Sequence, residues 1–155
     1  MKTVDIELIG RGFSWEQLPV GKQYRTVSRT ITEADLVNFI GNTGMLEVLF
    51  TNSCEERGDG EIKGRLVPAA LVYAFAEGLL IPAVQMMGIA FLKMDLEVKG
   101  PVFVGDTIYV KCEVIECRES ASRPGLGLVK TRNSIIKQDD AICIVYTPLR
   151  LLKGK

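Results

Sequence analysis

Glu47 is the one carboxylate inside the apolar run Met45-Leu46-Glu47-Val48-Leu49-Phe50. Facing a pocket beside Met45 and Phe50, it would be desolvated. Its pKa would then rise toward the range in which a carboxylate serves as a general base near neutrality. Facing solvent, it would be an ordinary glutamate on an irregular segment. Asn42, Thr43 and Asn52 flank the run and suit binding or orienting a water or a carbonyl, although the same residue types bond as readily to backbone in turns. The chain has no histidine, so it has no Ser–His or Cys–His nucleophile pair and no imidazole metal site; proton transfer falls to carboxylates, thiols or lysines.

The four cysteines stand at 54, 112, 117 and 143, with no CxxC and no zinc-site spacing. Cys112 and Cys117 fall in a strand-like stretch at an odd separation, which points them to opposite faces and places them poorly for a disulfide. The cysteines read as reduced, small core residues. Cys54 lies outside the predicted strands and is the one candidate reactive thiol. Gly125-Leu126-Gly127 after Pro124 is a turn into a strand rather than a phosphate loop. No metal and no cofactor is expected.

Two groups of cations, Lys63 and Arg65 on one side and Arg123, Lys130 and Arg132 on the other, suit phosphate contacts or a solvated surface. Nineteen basic residues balance nineteen acidic ones. No field of one sign is available to attract nucleic acid or an anionic membrane, and little net charge opposes self-association. The longest apolar run, Leu66 to Met87, is interrupted by Pro68, Glu77, Gly78, Pro82 and Gln85, which argues against a membrane span. The opening MKTVDIELIG does not resemble a signal peptide, so a cytoplasmic location is expected.

These residues must be positioned by a single domain, the natural expectation for 155 residues. After an extended arm and a turn at Leu18–Gly21, Tyr24 to Ile31 reads as a strand. Thr32, with Asp35 three residues later, forms a capping box that opens a helix with Leu36, Phe39 and Ile40 inward, ended by Gly41 and Gly44. Residues 45–63 read as an irregular overhang. Val67 to Ile81 is the clearest helix, with Pro68 in its first turn and apolar residues on nearly every side, the pattern of a buried central helix. Glu77 is its lone charge and is expected to meet a basic partner or a subunit boundary.

Strands follow at Ile89–Val98, Thr107–Cys117, Gly125–Gln138 and Ala141–Leu152. In the first, Ala90, Leu92, Met94, Leu96 and Val98 alternate with Lys93, Asp95 and Glu97. Asp139-Asp140 turns the last pair, and Pro148 marks an edge or a bulge. The predicted class is α+β, an antiparallel sheet wrapped around one long helix. One helix covers only part of one sheet face, which predicts a homodimer or higher homo-oligomer.

Four stretches carry a family resemblance: Trp15-Glu16-Gln17-Leu18-Pro19-Val20-Gly21; Arg29-Thr30-Ile31-Thr32-Glu33-Ala34-Asp35 with Phe39 and Thr43-Gly44; Gly64-Arg65-Leu66-Val67; and Pro101-Val102-Phe103-Val104-Gly105-Asp106. In this order they resemble the MaoC-like (R)-specific enoyl-CoA hydratases and acyl dehydratases, which have the hot-dog fold. The resemblance implies an acyl-CoA or other acyl-thioester ligand. It also implies a catalytic Asp and, five residues on, a catalytic His, yet the corresponding positions here are Met45 and Phe50. A second family word, often His-Gly, corresponds to Pro68-Ala69. The usual hydration dyad is therefore absent.

A backbone donor does not depend on side-chain identity, and in the resembling enzymes this region holds the thioester carbonyl. Ala69 N–H, free in the first helical turn, remains a candidate for that role. The substrate site implied is thus Asn42, Thr43, Met45, Phe50, Asn52, Pro68 and Ala69, with Lys63 and Arg65 toward coenzyme A phosphates. Two readings follow. One is a hydratase/dehydratase-type lyase, or a hot-dog thioesterase, in which Glu47 replaces the dyad; catalysis from the central helix, where Glu77 sits, is a theme of such thioesterases. The other is a non-catalytic acyl-binding or scaffolding subunit. A buried Glu47 facing Ala69 N–H favours the enzyme; an exposed one favours the binder.

Overall fold

The capping box at Thr32 is present in the structure, a computed structural model that describes residues 6–52 and 64–155. Thr32 Oγ1 accepts the Asp35 N–H at 3.2 Å, and Asp35 Oδ2 accepts the Thr32 N–H at 2.8 Å. These bonds satisfy two donors that a helix start leaves free. Helix α1 (Glu33–Thr43) runs from this cap to Gly44, whose φ of 73° is the left-handed stop that glycine takes without strain. Leu36 and Ile40 are its buried face.

A short helix α2 (Val48–Thr51) follows, then the central helix α3 (Ala69–Leu79) and a single turn α4 (Ile81–Val84). Pro68 is the residue before α3, in extended backbone at φ −57° and ψ 137°, and not inside its first turn. The helix is not buried all round either. Leu71, Val72, Ala76 and Leu80 face the sheet, while Ala69, Ala70, Ala74 and Gly78 are exposed. The outward residues are apolar but small, so the composition of α3 overstates its burial.

Six antiparallel strands form one sheet: β1 (Gln23–Arg25), β2 (Arg29–Thr30), β3 (Gly88–Val98), β4 (Thr107–Glu119), β5 (Leu126–Lys137) and β6 (Ile142–Lys153). Their order is β1-β4-β5-β6-β3, with β2 also on β4. The strand expected over Tyr24–Ile31 is broken into β1 and β2. Thr26 Oγ1 accepts the Val110 N–H at 3.0 Å, and this side chain takes a ladder position that backbone would otherwise hold. Inward residues of β4 (Ile108, Val110, Cys112, Val114) are buried as the alternation predicts. Ile108, Val110 and Cys112, together with Ile135, Ile144 and Tyr146, pack under Leu71, Val72 and Ala76 of α3, while Val114 packs with Leu18, Val129 and Leu152. Each such buried aliphatic side chain contributes about 1.5–3 kcal/mol.

Two further points correct the sequence pattern. Strand β3 lies at the sheet edge, and its register shifts between Gly88 and Ala90 and between Phe91 and Lys93. Only Ala90 and Met94 are half-buried, while Leu92, Leu96 and Val98 are exposed along with Ile89 and Phe91. Pro148 does not mark an edge: β6 lies between β5 and β3. Its ladder with β5 instead passes from Lys130–Leu149 to Asn133–Tyr146, with Thr131, Arg132, Thr147 and Pro148 outside the paired positions. On the central strand β5, Trp15 lies against Gly127 where a Cβ would have to sit, so the opening segment docks on that glycine.

Candidate functional site

Val67 enters α3 tied to the sheet, its N–H donating to the Val102 carbonyl at 2.8 Å. Leu66 forms a bridge to Phe103. Pro68 O accepts the Leu71 and Val72 N–H groups at 3.0 and 3.2 Å. Ala69 N–H and Ala70 N–H precede the first intrahelical donor and are bonded to no acceptor among the described residues. Ala69 is among the residues that line a pocket of about 400 Å³. Its lining includes Phe50 from α2, Pro68, Ala69 and Val72 around the helix start, and the Val98–Val102 stretch that follows β3. Among the lining residues only Lys99 is charged. Its ammonium pairs with Glu97 at 2.6 Å, an exposed pair at the rim.

Of the residues implied by sequence, Phe50, Pro68 and Ala69 are thus brought together. Met45 is half-buried but does not line the pocket. Asn42 and Thr43 are exposed in the last turn of α1, where Thr43 Oγ1 donates to the Phe39 carbonyl at 2.6 Å and accepts the Met45 N–H at 3.4 Å. Their bonding is the turn chemistry that competes with a ligand role. Asn52 ends α2, its N–H donating to Val48 O. Glu47 is exposed, precedes α2, and is not a lining residue, so its carboxylate lacks the desolvated setting a general base would need.

Arg65 is committed elsewhere. It binds Glu33 with Nε at 3.0 and 3.2 Å and Nη2 at 2.7 Å, and Nη1 donates to the Phe50 carbonyl at 2.6 Å. It pins α2 and Phe50 over the pocket and has no free fork for a phosphate. Lys63 and Cys54 lie outside the described residues. Arg132 pairs with Glu113 at 3.5 Å, and neither it, Lys130 nor Arg123 lines the pocket. The wall from Val98 to Val102 was missed by sequence reasoning. The Gly100-Pro101 break after an exposed strand is the signal that could have found it.

Glu77 has the basic partner expected of it. Arg150 Nη2 contacts both of its oxygens at 2.7 Å, and the Tyr146 hydroxyl donates to Oε1 at 2.9 Å. Burial, and then the Glu77 carboxylate, push the Tyr146 phenol well above its ordinary range, so it stays protonated as a donor. Burial likewise pushes Cys112 up to about 12, and raises Cys143 and Cys117, so none of these thiols is a ready nucleophile. No group of three or more metal-ligating side chains occurs among the described residues.

An antiparallel sheet curved about one helix, with a pocket at that helix's N-terminus, is the hot-dog fold. Solved structures with this shape include a MaoC-like dehydratase from Rhodospirillum rubrum, at TM-score 0.80 and 20% identity, covering 93% of this chain and 99% of that one. An R-hydratase from Pseudomonas aeruginosa aligns at TM-score 0.74 and 18% identity, over 93% of this chain and 88% of that one. A Mycobacterium tuberculosis protein with a double hotdog fold aligns at TM-score 0.84 and 22% identity; 96% of this chain matches 46% of it, so this chain spans about half its length. No protein-family model matches the chain, and no curated protein matches it by sequence. The architecture is the one shared by MaoC-like dehydratases and (R)-hydratases.

Proposed function

We propose that this chain is a MaoC-like hot-dog domain that binds an acyl thioester, such as an acyl-CoA, and holds it without the family's hydration chemistry. One observation carries the reading. The pocket is lined by Ala69, whose N–H is unbonded at the start of α3, within apolar walls, and Phe50 lines it where the resembling enzymes carry histidine. The helix dipole and the free donors suit a thioester carbonyl oxygen, and the apolar walls suit an acyl chain. Among the lining residues, only the Lys99 ammonium bears a titratable side chain, and it is held at the rim by Glu97.

The assembly is a homodimer in the same reading. Strand β3 presents eleven residues at the sheet edge with Ile89, Phe91, Leu92, Leu96 and Val98 exposed, an edge that natural proteins cover. The pocket wall begins at Val98, so a partner on this edge would stand beside the ligand.

The test incubates the protein with a panel of acyl- and enoyl-CoA esters. Titration calorimetry is expected to detect binding, while enoyl absorbance and free thiol remain unchanged. Absence of binding across the panel sinks the proposal. Turnover that disappears in Glu47→Gln would replace it with the lyase or thioesterase reading.

A further inference from the structure

A second cavity lies past the end of α3, between Leu80, Ala83 and Val84 on one side and the sheet on the other. It measures about 20 Å³ and is bordered by Tyr24, Thr131, Asn133 and Arg150 among aliphatic side chains. Thr131 and Asn133 occupy inward positions of β5, where the neighbouring inward residues are Val129 and Ile135. Asn133 is 1% exposed, and no protein group donates to its Oδ1. A buried carbonyl oxygen left so keeps its full desolvation penalty.

The ladder between β5 and β6 is interrupted at the same level, where Thr131 and Arg132 face Thr147 and Pro148, and proline has no N–H to give. On the other side of Asn133, its cross-strand neighbour Tyr146 gives its hydroxyl proton to Glu77 and accepts from the Asn133 amide, so it does not donate to Oδ1.

We infer that this cavity is a hydration site holding one water molecule, which donates to Asn133 Oδ1 and accepts from the polar groups of the opposite wall. The size fits: a water needs roughly 10–15 Å³ of such space and two to four polar partners. The chemistry fits as well. The orphan group is an acceptor, which rejects an anion. The Arg150 guanidinium in the wall rejects a cation. Arg150 gives Nη2 to Glu77 and keeps further N–H donors, so a neutral molecule that both donates and accepts is the match. The water completes a polar layer from Asn133 through Tyr146, Glu77 and Arg150 that fixes the register of α3 on the sheet.

A high-resolution crystal structure of the whole chain is expected to show one well-ordered water within hydrogen-bond distance of Asn133 Oδ1. A collapsed or dry cavity, or a protein donor rotated onto Oδ1, overturns the inference, and this readout needs no variant. In solution, a long-lived water is expected to give cross-relaxation peaks to amides of residues 131–133. Those peaks should be lost in Asn133→Val. Their absence from the unmodified protein, or their persistence in a folded Asn133→Val, overturns the assignment. Neither readout depends on whether acyl thioesters bind.

Discussion

The two ends of α3 are chemically opposite. At its N-terminus, Ala69, with a free backbone N–H, lines a pocket of about 400 Å³ whose walls are largely apolar. Toward its C-terminus, Glu77 is bonded to Arg150 and Tyr146, and Arg150 and Asn133 also border a space of about 20 Å³. Groups able to exchange protons exist in this interior, but they are bonded to one another and remote from the space a ligand could enter. The accessible end keeps only what the backbone supplies. Such a division suits retention of a ligand better than its conversion.

The largest effect should come from breaking the polar end. Glu77→Ala leaves Arg150 half-buried without its partner, and removing one member of such a pair costs about 3–5 kcal/mol. The Glu77 side chain keeps 25% exposure and Arg150 17%, which favours the lower figure, about 3 kcal/mol. Urea unfolding should show this loss. The paired variant Glu77→Leu with Arg150→Met should recover most of it, since a well-packed apolar pair can replace an ion pair. Equal losses in the single and double variants would mean that packing does not replace the ion pair and that the polar contacts of Glu77 are themselves required.

How far the sequence disclosed this arrangement depends on the range of the interactions. The Thr32–Asp35 cap, the Gly44 stop and the inward row Ile108, Val110, Cys112 and Val114 are set by residues a few positions apart, and they were legible. That Glu77 needed a basic partner was legible from its apolar surroundings. Its identity was not, because Arg150 lies 73 residues away. Arg65 looked free for a phosphate because its partner Glu33, 32 residues earlier, leaves no mark in local spacing. The alternation in β3 suggested a half-buried strand, but register shifts and an edge position expose most of it. Phe50, Pro68 and Ala69, named from the family resemblance, line one pocket. The Val98–Val102 wall required knowing where β3 ends in space.

A smaller change should isolate the open end. Proline at the first helical position removes an N–H that the helix does not use, and its φ already suits that turn. Pro68, with ψ at 137°, has the extended backbone that a following proline requires. Ala69→Pro is therefore expected to change stability by less than about 1 kcal/mol, while a lost hydrogen bond to the ligand weakens acyl-CoA binding about tenfold. A thioether analogue lacking the carbonyl should bind both proteins alike. If the substitution weakens thioester and thioether equally, Ala69 N–H does not contact the carbonyl and the open end works by shape.

The smallest effect tests the scaffold of that same end through pH. Asp106 holds the turn beside the pocket wall. Its Oδ2 accepts the Phe103 N–H at 2.8 Å and faces Lys137 Nζ at 3.5 Å, while Oδ1 accepts from Gln138 at 2.7 Å. Burial pushes its carboxyl up, but the Gln138 amide, the Phe103 N–H and the Lys137 charge together hold it below the ordinary 3.8. A group depressed in the folded state binds fewer protons there than in the unfolded chain. Its contribution is thus fully present above the ordinary value and is lost as pH falls through the folded one. Unfolding midpoints should decline more steeply below about pH 4 in the unmodified protein than in Asp106→Asn. The Glu77 layer is the same in both proteins, so the difference between them reports the turn. Parallel declines would show that the turn keeps its shape without the carboxylate, and that the pocket wall rests on the backbone bonds of Val67 and Val104.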